Sequence, residues 1–334
     1  MRKLSGWQKV GLFAGIGCFS FVALLVAGFA IAVSYARSTL ADLGDTTPTR
    51  VERSIVIQPP PDGAVSAEAP PAERPASGTK PAEATGKEPL QLSVDLQEGF
   101  FDIKPGPPNG RVQVEGQFSE ALYELTQQTE MQNGTNRTTI RFRSKAPMWA
   151  RMLAGIGSDE SNRPRLTLLI PPSVPIDLSL NVTMGESRID LGGLTLIDLG
   201  LDLSMGNHEV DFRQPVAEGM TRLRLNARMG NVRIENLGNA RAKSIDASGS
   251  MGNLTADLGG DWRPGGEAEL SFTQSMGEVR VNVPHGIRLE ADVRDAEGKP
   301  QTVGSDDAET PDPKAPVIKL RVSTSMGEGR VTRY

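Results

Sequence analysis

The chain has 334 residues, 23% charged, 38% hydrophobic and only 5% aromatic, with a formal net charge of −5. That balance supplies no basic surface for a polyanion, which excludes nucleic acid as an expected partner. One cysteine, Cys18, excludes an intrachain disulfide framework and a cysteine metal site, and 24 prolines with 36 glycines favour turns and linkers over long helices.

From Val10 to Val33 no residue is charged. As a helix this run spans roughly 36 Å, enough to cross a hydrocarbon core of ~30 Å. Arg2, Lys3 and Lys9 precede it, whereas Arg37 is soon offset by Asp42 and Asp45. The positive-inside rule therefore places residues 1–9 in the cytoplasm and everything after Val33 outside. The expectation is a single-pass anchor in the inner (plasma) membrane, with the bilayer as partner of residues 10–33 and the C-terminal domain periplasmic or extracellular. Ser34-Tyr35-Ala36 leaves open a cleaved signal peptide, although the run is longer than the usual apolar region of one. Cys18 lies in mid-run without the leucine pattern that precedes a lipidated cysteine, so it reads as a buried apolar residue. Gly11-x-x-x-Gly15 leaves open a homodimer through the helix.

Residues 42–90 are rich in Pro, Ala, Glu and Thr, with Pro59-Pro60-Pro61 and Pro70-Pro71 among them. With few large apolar residues to offset ordering entropy, the segment reads as a disordered tether.

The remainder, 91–334, is organised by repetition. Met-Gly followed by Glu or Asn occurs at Met184-Gly185, Met205-Gly206, Met229-Gly230, Met251-Gly252, Met276-Gly277 and Met326-Gly327. The spacings are 21, 24, 22, 25 and 50 residues, the last being two units. Apolar residues alternate before each pair, as in Leu201, Leu203 and Met205, which predicts a half-buried strand with Met facing inward. After the glycine the inward positions become Val232 and Ile234; Leu254, Ala256 and Leu258; Val279, Val281 and Val283. The odd step means the pleat flips at a glycine corner, where a positive φ suits Gly. Units of this length that bury one face by stacking predict an all-β, β-solenoid or parallel β-helix-like repeat domain. Leu92 to Ile103 fits the template with Glu98 in the Met slot and Gly99 at the corner. At about 111–163 the pattern is less regular: strands near 111–118, 121–131 and 136–144 surround the hairpin signal Asn133-Gly134. Residues 146–157 read as a short helix or lid, with Trp149 as an end cap or membrane contact.

Three features give the chain a family likeness: the strand-Glu-Gly-strand unit at Leu92–Ile103, the segment from Leu166 to Leu178 echoed by Val279 to Leu289, and the recurring Ser-x-Gly-x-Val series. On these, residues 92–334 resemble the bacterial DUF4097 adhesin-like domain, related to the C-terminal domains of LiaF- and LiaG-like envelope-stress proteins and called the toastrack fold. The fixed Met departs from that family's pattern. The resemblance implies an extracytoplasmic β-solenoid-like module and carries over no catalytic residue.

The methionine column is either a soft-metal site, since thioethers suit Cu(I), or an apolar ladder filling the corner. Inward parity favours the ladder, so no metal and no cofactor is expected. Outward columns stand at Met+4 (Arg188, Glu209, Arg233, Thr255, Arg280, Arg330) and Met+6 (Asp190, Asp211, Glu235, Asp257, Asn282, Thr332). Within them Arg188, Asp190, Asp211, Arg233, Glu235, Asp257 and Arg280 form the candidate interaction surface. It reads as a self-neutralised solvated face, with a glycan- or divalent-cation-binding face as the alternative. His208 and His285 are the only histidines, and no nucleophile elbow, zincin helix or phosphate loop is present. The chain therefore reads as non-enzymatic, leaving an Asp/Arg hydrolase or lyase as a further alternative. The functional expectation is a protein-interaction or envelope-stress accessory module, with other envelope proteins or glycans as partners; the alternative is a surface adhesin.

Overall fold

The computed structural model describes residues 28, 30–35, 38, 48–56, 89–132, 135–147, 163–294 and 314–334. Thirteen strands are present among them. They are β1 (Thr49–Val56), β2 (Leu90–Pro105), β3 (Arg111–Phe118), β4 (Tyr123–Gln132), β5 (Thr135–Ser144), β6 (Arg165–Ile170) and β7 (Ile176–Asp190). There follow β8 (Leu196–Asp211), β9 (Arg222–Glu235), β10 (Ser244–Asp257), β11 (Glu267–Val283), β12 (Arg288–Arg294) and β13 (Val317–Arg333). The all-β expectation holds.

Two compact units are distinguishable. One comprises Met1–Thr49, Phe118–Glu124 and Ser144–Arg163; the other, Arg50–Gln117, Leu125–Arg143 and Pro164–Tyr334, holds the repeats. In the smaller unit Ser119 caps a turn by accepting from the amides of Leu122 and Tyr123, and the Lys145 amide donates to the Leu122 carbonyl. Residues 30–35 are helical, but no helix among the described residues is long and apolar enough to cross a membrane. Most of the apolar run 10–33 lies outside the described residues, as do Asn133-Gly134 and Trp149.

The larger unit is a parallel ladder of long, bent strands in the order β2-β7-β8-β9-β10-β11-β13. Its register is set by the repeat: Met184 pairs with Met205, Met205 with Met229, Met229 with Met251, Met251 with Met276 and Met276 with Met326. Connection length shows why each strand must bend. Ile176 lies beside Leu196 and Asp190 beside Asp211, with 191–195 between the two strands. Five residues reach at most ~18 Å, whereas a straight 15-residue strand covers roughly 50 Å. A corner midway brings the ends within reach, and the short connection becomes the third side of each coil.

Inward residues on all three sides make the core. Leu178, Leu180 and Val182 come from the arm before a corner, Ile189 from the arm after it, and Leu191 and Leu194 from the third side. Each such side chain contributes about 1.5–3 kcal/mol by leaving water. At the N-terminal end, Phe101 and Phe142 meet edge to face, 6.2 Å between centroids. There the first arm of β2 continues into β5, which pairs with β4, and its second arm into β6, β3 and β1.

Strand β1 corrects the linker reading. Thr49–Val56 lies inside the stretch expected to be disordered, yet it pairs into the sheet, with Arg53 Nη1 donating to the Leu125 carbonyl at 2.7 Å. Sheet pairing offsets what the local composition does not.

The methionines need a second correction. The corner glycines take positive φ as expected, for example 134° at Gly206 and Gly230. The pleat, however, flips before the methionine: cross-strand pairing steps over Thr183, Ser204 and the residues matching them. Methionine is thereby turned outward, leaving Met205 36%, Met229 42%, Met251 41%, Met276 39% and Met326 62% exposed. The column expected to fill the core is a ridge along the outside of the corner.

Candidate interaction surface

Outward residues of the arms after the corner form two unbroken rows. Phe100, Glu186, Asn207, Asn231, Asn253, Glu278 and Glu328 are paired rung to rung at Met+2. Asp102, Arg188, Glu209, Arg233, Thr255, Arg280 and Arg330 are paired at Met+4. The rows enclose a shallow hollow of about 420 Å³, whose lining includes Phe100, Arg188, Asn207, Glu209, Asn231 and Arg233.

Strand geometry puts like residues ~4.8 Å apart, so identical charges in a row would repel. The rows relieve this locally. Arg233 pairs with Glu235 at 2.6 Å, Arg280 with Glu278 at 2.6 Å and Arg330 with Glu328 at 2.8 Å, each within its own strand. Arg188 lies 4.0 Å from Glu209 on the next rung, and its guanidinium sits 5.6 Å from the Phe100 ring centroid. The Arg165 guanidinium is 5.9 Å from the same ring. Asn231 Nδ2 donates to Asn207 Oδ1 at 3.0 Å, starting an amide ladder. The result is a charge-balanced strip with an aromatic end flanked by two arginines.

Of the sequence candidates, Arg188 and Arg233 line this hollow, and Arg280 continues their row. The Met+6 residues are placed differently, because that position is the second corner of the coil. Asp190 Oδ1 accepts from the Gly192 amide and Asp257 Oδ1 from the Gly259 amide and the Tyr334 hydroxyl. Partial burial, reinforced by the Asp257 carboxylate, pushes the Tyr334 phenol up to about 12. Asp211 is only 7% exposed, and accepts from Arg213 Nε at 3.0 Å and Asn236 Nδ2 at 2.7 Å. Glu235 is held by Arg233. Phe100 and Arg165 were not among the sequence candidates; Phe100 occupies the Met+2 slot of the rung that lacks Met, which is the signal that identifies it.

Ser187 and His208 stand at Met+3 on adjacent rungs, with Ser187 Oγ 2.8 Å from His208 Nδ1. A hydroxyl beside an imidazole has the makings of a nucleophile and base. These two are 2% and 3% exposed, and both stand among the residues beneath the hollow, between its two outward rows. Desolvation lowers the imidazole pKa to about 4, which keeps it neutral. Among the described residues no group of three or more His, Cys, Asp or Glu side chains is placed to hold a metal ion.

This architecture defines a class: an all-β repeat domain of cornered parallel strands. Residues 71–235 match the family described as the N-terminal domain of toast_rack, DUF2154, and the domain is of the toastrack-like family. The match bears out the toastrack likeness read from the sequence, with DUF2154 as the matching family. Among solved structures, a candidate cell adhesion protein from Clostridium sporogenes is similar at 11% identity, covering 86% of this chain and all of that one, with a TM-score of 0.37. A candidate adhesin from Bacteroides fragilis is similar at 12% identity, covering 86% and 97%, with a TM-score of 0.35. No curated protein matches the sequence.

Proposed function

We propose that this protein is a membrane-anchored interaction module that holds its β-solenoid outside the cytoplasm and binds another envelope component along the outward face of the post-corner arms. The observation that carries the reading is the continuous polar strip with Phe100, Arg188 and Arg233 at its hollow. Supporting it, the repeat residues that could have been catalytic serve as corners or core, and the uncharged run 10–33 behind Arg2, Lys3 and Lys9 suits a cytoplasm-in anchor. An accessory role in envelope stress and a role as surface adhesin both use this arrangement.

Crosslinking from intact membranes, comparing wild type with Arg188→Ala/Arg233→Ala, tests the reading. A partner captured by wild type and lost by a variant that melts normally is the expected result; capture unaffected by the substitutions overturns it. The amide ladder favours a second reading in which the component is a glycan, since evenly spaced amides match the hydroxyls of a repeating sugar. Retention of the domain on insoluble cell-wall polymer, abolished by Asn207→Ala/Asn231→Ala, distinguishes that case.

A further inference from the structure

The methionine ridge is separate from the strip and unexplained by it. Two residues earlier in each rung, the column Val182, Leu203, Ala227, Gly249, Gln274 and Thr324 packs inward or beside the core and varies from rung to rung. The column at Met184, Met205, Met229, Met251, Met276 and Met326 is where packing demands least, five of its six members being at least 36% exposed. Yet it is constant across these six rungs, only the β2 rung departing with Glu98. An apolar partner would be served as well by Leu or Ile, so the constant element is the thioether sulfur.

Chemistry and spacing then agree. Thioethers are soft, neutral ligands that prefer soft monovalent ions to zinc or Cu(II). Metal–sulfur bonds of about 2.3 Å put three trigonal sulfurs roughly 4 Å apart. In-register rungs present successive methionines ~4.8 Å apart, so the outer two of any three start roughly 9.6 Å apart and must lean toward the middle one, which three rotatable bonds per side chain allow. Each methionine is followed by glycine and, in five of six rungs, preceded by Ser or Thr, which leaves the sulfur sterically open. The inward parity that disfavours a metal there is absent from the ridge, and although no Cys or His accompanies the column, soft monovalent ions take thioethers without them.

We infer that the row from Met184 to Met326 is a thioether ladder that binds soft monovalent metal ions of the Cu(I) and Ag(I) class, three neighbouring methionines to each ion. Binding is simple coordination, with no change of oxidation state and no proton released.

Silver(I) titration of the full-length chain in detergent and chloride-free buffer, followed through ¹³C-methyl-labelled methionine, tests this directly. The six ridge methyl resonances are expected to shift and saturate while Met131, exposed but outside the row, stays put. Met205→Leu/Met229→Leu/Met251→Leu leaves no three neighbouring methionines and is expected to weaken binding at least tenfold with an unchanged melting temperature. Met131 shifting in step with the row, or the triple variant binding like wild type, overturns the inference. Should the variant fail to fold, the wild-type spectrum decides: ridge methyls unmoved by silver overturn it equally.

Discussion

Ser187 Oγ and His208 Nδ1, 2.8 Å apart on neighbouring rungs, form a polar pair in a core column that is otherwise Phe101, Val232, Leu254, Val279 and Gly329. His208 Nε2 is buried without a partner, so a charged ring there has nowhere to place its second proton. With a folded pKa of about 4 against an ordinary 6.5, the unfolded chain binds more protons between those values. Stability therefore rises with pH through that window: it is fully present above about 6.5 and is lost progressively as pH falls toward 4, by on the order of 3 kcal/mol. Denaturant melts at stepped pH are expected to show this slope in wild type. Ser187→Val/His208→Val, which supplies the residue type of the next rung, is expected to lose it.

The corner glycines form a column held by close approach of backbones. A Cβ at Gly230 would lie 1.9 Å from the Gly206 carbonyl oxygen, one at Gly252 would lie 1.8 Å from that of Gly230, and φ at both is positive. Strain alone costs about 1–3 kcal/mol at such a φ, and the clash with rigid backbone adds to it. Gly230→Ala is expected to lower unfolding free energy by more than about 3 kcal/mol, with Gly206→Ala similar. Gly200, on a strand but with open space around it, is the control: Gly200→Ala is expected to be neutral or stabilising by about 0.5 kcal/mol. Equal losses at Gly200 and Gly230 would refute the close-approach account.

A different glycine is needed for a side chain. Gln274 is buried, donates from Nε2 to the carbonyls of Gly252 and Met276, and lies over Gly249, whose Cβ would stand 1.7 Å from Gln274 Oε1. Alanine at Gly249 must displace the amide and break both bonds. Gly249→Ala is thus expected to be destabilising alone but largely harmless when Gln274 is also replaced by Val, the residue at the matching position of β7. A double-mutant cycle is expected to return a coupling above about 1 kcal/mol; additivity would show that the two positions do not compete for space.

Alternation in the sequence reports side-chain direction, which is why Val232, Leu254 and Val279 could be placed in the core before any coordinates. The pairing of β4 with β5 and the corner glycines were legible for similarly local reasons. The facing of the methionines was not. Leu203 and His208 are both buried, as are Gln274 and Val279, and the members of each pair are five positions apart. That odd step requires one flip in between, but says nothing about whether it falls before Met or at the glycine. The Asp column misled in the other direction: Asp190 and Asp211 have outward parity, yet they sit where the coil turns again, and a turn hydrogen bond leaves no trace in periodicity. Strand β1 was obscured because its short alternation is embedded in proline-rich sequence and its stability comes from a distant partner strand.

Asp211 and Arg233 separate what holds the coil from what is free to bind. Both appeared in the sequence as outward charges of one surface. Asp211 is nearly buried and accepts from Arg213 and Asn236, the latter in a left-handed conformation (φ 56°) that opens the short helical turn Leu237–Ala240. Removing its carboxylate leaves the Asn236 amide without an acceptor at a point where the backbone is already constrained, a loss of about 1–3 kcal/mol. Arg233 pairs with Glu235 in water, and an exposed pair of this kind contributes at most about 1 kcal/mol. Asp211→Ala is therefore expected to lower the melting midpoint clearly, and Arg233→Ala to leave it within experimental scatter. In the crosslinking assay the order reverses. Arg233→Ala is expected to reduce partner capture at a temperature where it is fully folded, and Asp211→Ala to reduce it only as far as it unfolds. A chain in which Arg233→Ala unfolds as readily as Asp211→Ala would place Arg233 with the corners and remove it from the binding strip.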